Sequence, residues 1–435
     1  MINTSSSILY TQAKSNIARL TIAQALAGAN STIIYATGAI VGNTLAPSSA
    51  LATLPISIFV VGMAASSLPA GAIVQRWGRR EAFMLGAGFG VLAGLLAAWA
   101  VMLGVFWLFC LATFFAGAYA AVVLSFRFAA ADCVPPDQRA RALSFVMAGG
   151  VLSGVIGPQL VTLTMDLWTP HPFAVTFLAQ AVMGILSACS LKGVYLPKPT
   201  KTEDNSARPI ILILRQPRFV TAVICAVVSY FLMNFLMTSA PFAMQMCGLS
   251  QASSNLGIQW HVIAMYAPSF FTGKLITRFS AQRVVTAGLV LIALSATIGL
   301  LGVDITHFWI MLILLGAGWN FGFVGASALV LECHQPEEKV RVQSLNDFIV
   351  FGTMVFGSFL SGSLLAKYGW NTVLWLSFVP LALASLALVS SAVVNKRMSA
   401  KLNHAAVFPE ANQRRIYLYR GSRTKKCPLC QKKSS

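Results

Sequence analysis

The stretch Asp132-Cys133-Val134-Pro135-Pro136-Asp137-Gln138-Arg139-Ala140-Arg141 returns 200 residues later as Glu332-Cys333-His334-Gln335-Pro336-Glu337-Glu338-Lys339-Val340-Arg341. Acid, cysteine, proline, acid, base and arginine keep their places in both copies. A second pair repeats at nearly the same offset. Gly71-Ala72-Ile73-Val74-Gln75-Arg76-Trp77-Gly78-Arg79-Arg80 is echoed by Gly273-Lys274-Leu275-Ile276-Thr277-Arg278-Phe279-Ser280-Ala281-Gln282-Arg283. Two loop signatures at one common offset indicate a chain built from two copies of one unit.

The segments between these loops are long and apolar. Over 435 residues, 57% are hydrophobic, only 10% are charged, and the mean hydropathy is +0.74. A soluble domain carries roughly 25% charged residues, so a soluble protein is excluded. A bilayer core takes about 20 apolar residues per helix. Twelve such spans are read at about 18–42, 50–74, 82–103, 106–130, 141–165, 172–191, 219–246, 252–277, 284–302, 307–331, 341–366 and 372–394. The short alternating segments of a membrane β-barrel are missing. The fold class expected is therefore an all-α integral membrane protein with twelve transmembrane helices in two pseudo-symmetric six-helix halves. A polar segment (1–17) precedes the first half (18–191). A charged linker (192–218) joins it to the second half (219–394), and a basic, disordered tail (395–435) follows. Residues 1–17 lack the pattern of a cleavable signal peptide.

The net charge of +19 would suggest nucleic acid in a soluble chain. Counted by loop, 29 of the 31 Lys and Arg residues fall on the side of the N-terminus. Only Lys367 lies on the other side, and Arg127 lies inside a span. That asymmetry encodes orientation: both termini are expected in the cytoplasm, in an inner (plasma) membrane. No nucleic-acid partner is expected.

The Gly71…Gln75-Arg76-x-Gly78-Arg79-Arg80 run resembles the loop 2–3 signature of the major facilitator superfamily, with a degenerate second copy where that family has one. Pro136-x-x-Arg139 after span 4 is also typical. Arg127-Phe-Ala-Ala-Ala-Asp132, Met147-Ala-Gly-Gly-Val and Gly157-Pro158-Gln159 are similar to a subset of bacterial permeases near which a riboflavin transporter is placed. The resemblance covers residues about 18–394. It implies a secondary transporter working by alternating access, with spans 1, 4, 7 and 10 around a central cavity. Two departures matter. Gln75 stands where the family has an acid, and the arginine that proton-coupled members carry in span 4 is replaced near Thr113. Ser153-x-x-x-Gly157-Pro158 matches the span 5 antiporter motif only in part.

All twelve acids sit at span ends or in loops. With no midplane acid, the substrate is expected to be a small neutral or weakly charged organic solute. Uncharged polar and aromatic residues near the midplane are the candidate solute contacts: Asn30, Tyr35, Tyr119, Gln159, Tyr230, Asn234, Trp319 and Asn320. A polar amide in lipid is costly unless partnered, so these face inward, toward a solute or a neighbouring helix. The candidate gate is charged: Gln75, Arg76, Arg79, Arg80, Asp132, Arg139, Arg278, Glu332 and Asp347. Within it, Asp132, Glu332 and Asp347 are expected to pair with Arg76, Arg80, Arg278 or Arg283. His261 and Arg127 are the candidate coupling residues, since His titrates near neutral pH; helix packing for His261 and headgroup snorkelling for Arg127 stay open.

Cys427-x-x-Cys430 supplies half a zinc site and its second half is missing. No metal, no cofactor and no enzymatic activity are expected, and no Gly-x-x-x-x-Gly-Lys-Ser/Thr loop for ATP is present. The partners expected are a solute, the lipid bilayer and a coupling proton, with the carrier formed by one chain. A drug or metabolite efflux antiporter, and a sensor that reuses the fold without transport, remain alternatives.

Overall fold

The computed structural model describes residues 2–48, 51, 53–196 and 208–407, all helix or loop among those described. Residues 1–385 form one compact unit; residues from 386 onward form a second, whose described part is the end of the last helix.

The first half comprises α1 (Ile2–Leu45), α2 (Leu54–Trp77), α3 (Arg79–Leu103), α4 (Phe106–Leu124) continued by α5 (Phe126–Asp132), α6 (Arg139–Ala148) continued by α7 (Gly150–Thr164), and α8 (Ala174–Leu191). The short α9 (Ile210–Leu214) precedes the second half. That half comprises α10 (Pro217–Met246), α11 (Gln251–Tyr266), α12 (Ser269–Phe279), α13 (Ala281–Leu301) and α14 (Ile305–Trp319). It continues through a π-helical turn (Asn320–Val324) into α15 (Gly325–Leu331), then α16 (Lys339–Tyr368) and α17 (Trp370–Val407). Among the described residues, eleven helices are long and apolar enough to cross a membrane. The twelfth expected span, 252–277, is broken at Ala267-Pro268 into α11 and α12. Proline lacks the N–H that would continue the ladder and clashes with the preceding turn.

Two boundaries differ from the sequence reading. α1 begins at Ile2, well before residue 18, because no Gly or Pro interrupts the polar segment. α17 runs to Val407 through Lys396, Arg397, Ala400, Lys401 and Leu402, all good helix formers, so 395–407 is helical. The Cys427/Cys430 pair and the rest of the tail lie outside the described residues, as do linker residues 197–207.

The repeat is visible in local geometry. Cys133 Sγ donates to the Ala129 carbonyl at 3.3 Å, and Cys333 Sγ to the Leu329 carbonyl at 3.2 Å. Gly78 (φ 104°) and Ser280 (φ 82°) occupy the same positive-φ turn between consecutive helices. Glycine adopts that region freely, whereas a side chain there costs about 1–3 kcal/mol. Ser280→Gly is expected to stabilise the protein by about 1 kcal/mol, read as a higher thermal midpoint of the purified protein in detergent.

Glycines set the helix crossings. A Cβ on Gly117 would lie 1.9 Å from the Phe59 carbonyl oxygen, so α2 and α4 touch backbone to backbone. The first glycine of each loop signature reaches across the halves. Gly71 on α2 abuts Ser344 on α16, and Gly273 on α12 abuts the Arg141 backbone on α6.

The linker is clasped to the second half. Arg208 donates from its backbone N (3.1 Å) and Nε (2.7 Å) to Glu338 Oε1, and from Nη2 (2.7 Å) to Oε2. The Gln335 amide donates to Glu338 Oε2 at 3.0 Å. These donors hold the Glu338 carboxyl down at about 2, against an ordinary 4.5. A depressed carboxylate contributes stability that is present above its unfolded value and is lost as pH falls toward its folded value. Hydrogen exchange at the Arg208 amide is therefore expected to stay protected above pH 4.5 and to lose protection as pH falls toward 2. Glu338→Gln should lose the protection at every pH.

Candidate solute cavity and gate

One face of each of several helices converges on a central cavity. α1 contributes Gln24, Gly28, Ser31 and Tyr35, spaced so that they share a helical stripe. α10 contributes Tyr230, Met233 and Met237; α11 contributes Ile258, Val262, Met265 and Tyr266; α2 adds Phe59 and Met63; α4 adds Val123 and Leu124. None of the lining residues is an acid, a base or a histidine. Aromatic rings and flexible methionines dominate, with a few hydroxyls and one amide. Gln24 Oε1 is buried without a hydrogen-bond partner.

Of the candidate contacts, Tyr35 and Tyr230 line the cavity. The Tyr35 hydroxyl donates to Asn234 Oδ1 at 3.3 Å, joining α1 to α10. Trp319 stands behind Tyr230 with ring centroids 5.5 Å apart.

The remaining candidates lie elsewhere. Asn30 donates to the Ala116 carbonyl (3.1 Å) and accepts from Gln180 Nε2 (2.6 Å), wholly within the first half. Asn320 is saturated by Thr272 Oγ1 (2.7 Å), the Met265 carbonyl (2.6 Å) and Ser269 Oγ (2.5 Å). Tyr119 is buried against Gly90 of α3. Gln159 is exposed. Gly157 packs on α1, and a residue two positions on points to the opposite side of a helix. Asn30→Ala is therefore expected to cost about 0.6 kcal/mol, at most ~1.7, and to leave the half-saturation concentration for solute unchanged in an uptake assay.

Sequence reasoning missed Tyr266, Phe59 and the methionines. Phe59, Met63, Met265 and Tyr266 sit on spans 2 and 8, outside the four spans read as cavity-lining, and Met233 and Met237 sit on span 7 but are apolar, so a search for polar and aromatic residues passed over them. The i, i+4 stripe Ile258, Val262, Tyr266 was the available signal.

The cavity is closed at the end nearer the basic loops. Arg79 pairs with Asp132 (Nη2–Oδ2 2.8 Å, Nε–Oδ2 3.0 Å) and also donates to Gln343 Oε1 of α16 at 2.8 Å. Lys339 Nζ lies 3.1 Å from the same Asp132 oxygen, completing a bridge between the halves. Deeper in, Arg127 Nη2 pairs with Asp347 Oδ1 at 2.6 Å. Arg127 is 0% exposed and Asp347 5%. Arg127 also donates to Ser327 Oγ at 3.2 Å and to the Leu124 carbonyl. Arg127 and Ser327 are separated by 200 residues, so repeat-equivalent positions meet between the halves.

Arg76 and Arg80 are not the partners of Asp132. Both are exposed, and Arg76 lies over the Trp77 ring at 5.4 Å. The buried stripe of α2 passes through Gly71 and Val74, which turns Gln75 and Arg76 away, while the Gly78 turn sends Arg79 inward. Arg278 and Glu332 are likewise exposed. Arg278 lies over Phe279, and Glu332 feels Arg218 rather than a loop arginine. Arg139 is half-buried, with its Nε unpartnered. His261 is fully buried on the far side of α11, 2.7 Å from the Leu312 carbonyl through Nδ1. It joins α11 to α14 and does not line the cavity.

Two helical halves around a neutral cavity, with one end closed by ion pairs that bridge the halves, define a membrane carrier of the alternating-access kind. The chain belongs to the Major Facilitator Superfamily, whose profile matches residues 20–268 and 222–409. It is 50% identical over 347 residues to a riboflavin transporter of Brucella anthropi, covering 79% of this chain and 87% of the relative. An uncharacterised MFS-type transporter of Bacillus subtilis is 27% identical over 76% of this chain and 81% of its own. Among solved structures, the proton:xylose symporter XylE shares the fold with a TM-score of 0.75 at 13% identity (88% of this chain, 96% of that one). The human organic anion transporter MFSD10 gives 0.70 at 14% (86% and 99%). The protein is a multi-pass membrane transporter, not an enzyme.

Proposed function

We propose that this transporter carries riboflavin, or a closely related uncharged flavin, through the central cavity. The reading places a single-chain carrier in the plasma membrane with both termini in the cytoplasm. The observation that carries it is the cavity wall: Tyr35, Phe59, Tyr230 and Tyr266 with Met63, Met233, Met237 and Met265, and no charge. A flat tricyclic ring stacks on such aromatic faces, and methionine adapts to its edges. Gln24, Ser31 and Thr32 offer hydrogen-bonding groups to ring carbonyls and to a polyol side chain. The 50% identity to a riboflavin transporter supports the same substrate.

The placement of basic residues supports the orientation, since 29 of 31 fall on one face. In that orientation the closed end is cytoplasmic. A coupling proton, where one is used, falls to Asp347, which bridges the halves from a buried position. His261 is occupied in helix packing.

Quenching of flavin fluorescence on titrating purified protein into riboflavin tests the substrate. Saturable quenching is expected, with a matching rise in the thermal midpoint. Riboflavin that neither quenches nor stabilises, beside a vitamin or nucleobase that does, would replace the flavin reading. An imposed pH gradient across reconstituted vesicles tests coupling: uptake indifferent to the gradient makes the carrier a uniporter.

A further inference from the structure

Phe323 lies in the π-helical turn Asn320–Val324 between α14 and α15. Such turns in a long helix are rare and concentrate at functional sites. This one is pinned at its first residue by the three hydrogen bonds of Asn320.

The Phe323 ring touches two systems. Its centroid is 4.9 Å from that of Tyr230, which lines the cavity, and 5.3 Å from that of Trp319, stacked at 20°. The Arg127 guanidinium carbon lies over the same ring at 4.7 Å, and Phe128 holds that guanidinium from another side at 4.2 Å. A cation on an aromatic face in a dry site is held firmly in place. Its carboxylate partner, Asp347, is further tethered by Asn346 Nδ2 at 3.0 Å.

We infer that Phe323 is a positioning residue that ties the state of the cavity to the gate: it seats Arg127 on Asp347 and moves with Tyr230. This rests on the reading that the central cavity holds the solute. A solute that shifts the Tyr230 ring shifts Phe323, and the guanidinium loses its seat. The π turn supplies a place where α14 and α15 can change register without breaking either helix.

The gate can be read without knowing the solute. Ser344, which abuts Gly71 where the halves meet, is replaced by cysteine in a variant whose native cysteines are removed, and its labelling by a bulky hydrophilic maleimide is timed. Slow labelling is expected in the parent. Phe323→Leu should label at least tenfold faster, as should Asp347→Asn and Tyr230→Leu. Because all act through one seat, Phe323→Leu combined with either should add less than twofold. Phe323→Met is measured alongside, so that loss of folded protein in one leaves the other to decide. Parent-rate labelling of Phe323→Leu or Phe323→Met, or effects that multiply in the double variants, would overturn the assignment. Riboflavin added to the parent separates the two readings. If it leaves labelling unchanged while Phe323→Leu still opens the gate, the flavin reading is weakened and the role of Phe323 stands.

Discussion

Asp347→Leu, made with Arg127 in place, is expected to remove about 3–5 kcal/mol of stability and to abolish solute uptake. Breaking a buried pair from one side costs that much because the other charge stays buried and uncompensated. Arg127 is 0% exposed and its remaining partners, Ser327 and the Leu124 carbonyl, are neutral. The double variant Arg127→Met/Asp347→Leu removes both charges and should recover most of the stability, since apolar replacements of buried pairs are often neutral or better. It should not recover transport, because the halves then lack their deep cross-link at the basic end. Thermal unfolding in detergent and uptake into vesicles, run on both variants, separate the two effects. A single variant as stable as the parent would contradict the burial of the pair.

Tyr230→Ala should weaken the interaction with riboflavin about 5- to 150-fold, the range for removing 1–3 kcal/mol of base-like stacking on an aromatic ring. Its ring lines the cavity and is backed edge-on by Trp319, Phe323 and Phe351 at 4.9–5.6 Å. Tyr230→Phe keeps the face and should keep most of the affinity. Fluorescence titration reads both. Equal weakening in the two variants would move the interaction from the ring to the hydroxyl.

The fold was legible because hydrophobicity and charge are constrained in every span. Apolar length sets the helices, and the repeat at 200 residues sets the two halves. The site was harder to read. Asn30, Asn320 and Tyr35 look alike in sequence: polar groups in the middle of apolar runs. Burial in lipid demands a partner for each, and a neighbouring helix satisfies that demand as well as a solute does. Asn30 and Asn320 found helices, while Tyr35 faces the cavity. The gate shows the same degeneracy. Arg76, Arg79 and Arg80 are three basic residues in five positions, and only the turn at Gly78 decides that Arg79 reaches Asp132. Arg127 and Asp347 lie 220 residues apart, and only the packing of the two halves joins them.

The central claim is that an uncharged flavin passes through this cavity. Uptake of riboflavin into vesicles reconstituted with the purified protein tests it most directly. The account predicts saturable uptake well above protein-free vesicles, accelerated by unlabelled riboflavin on the opposite side, as carrier exchange requires, and lost in Tyr230→Ala at low substrate. Uptake no faster than through protein-free vesicles, from protein that is folded and carries another solute, would contradict it.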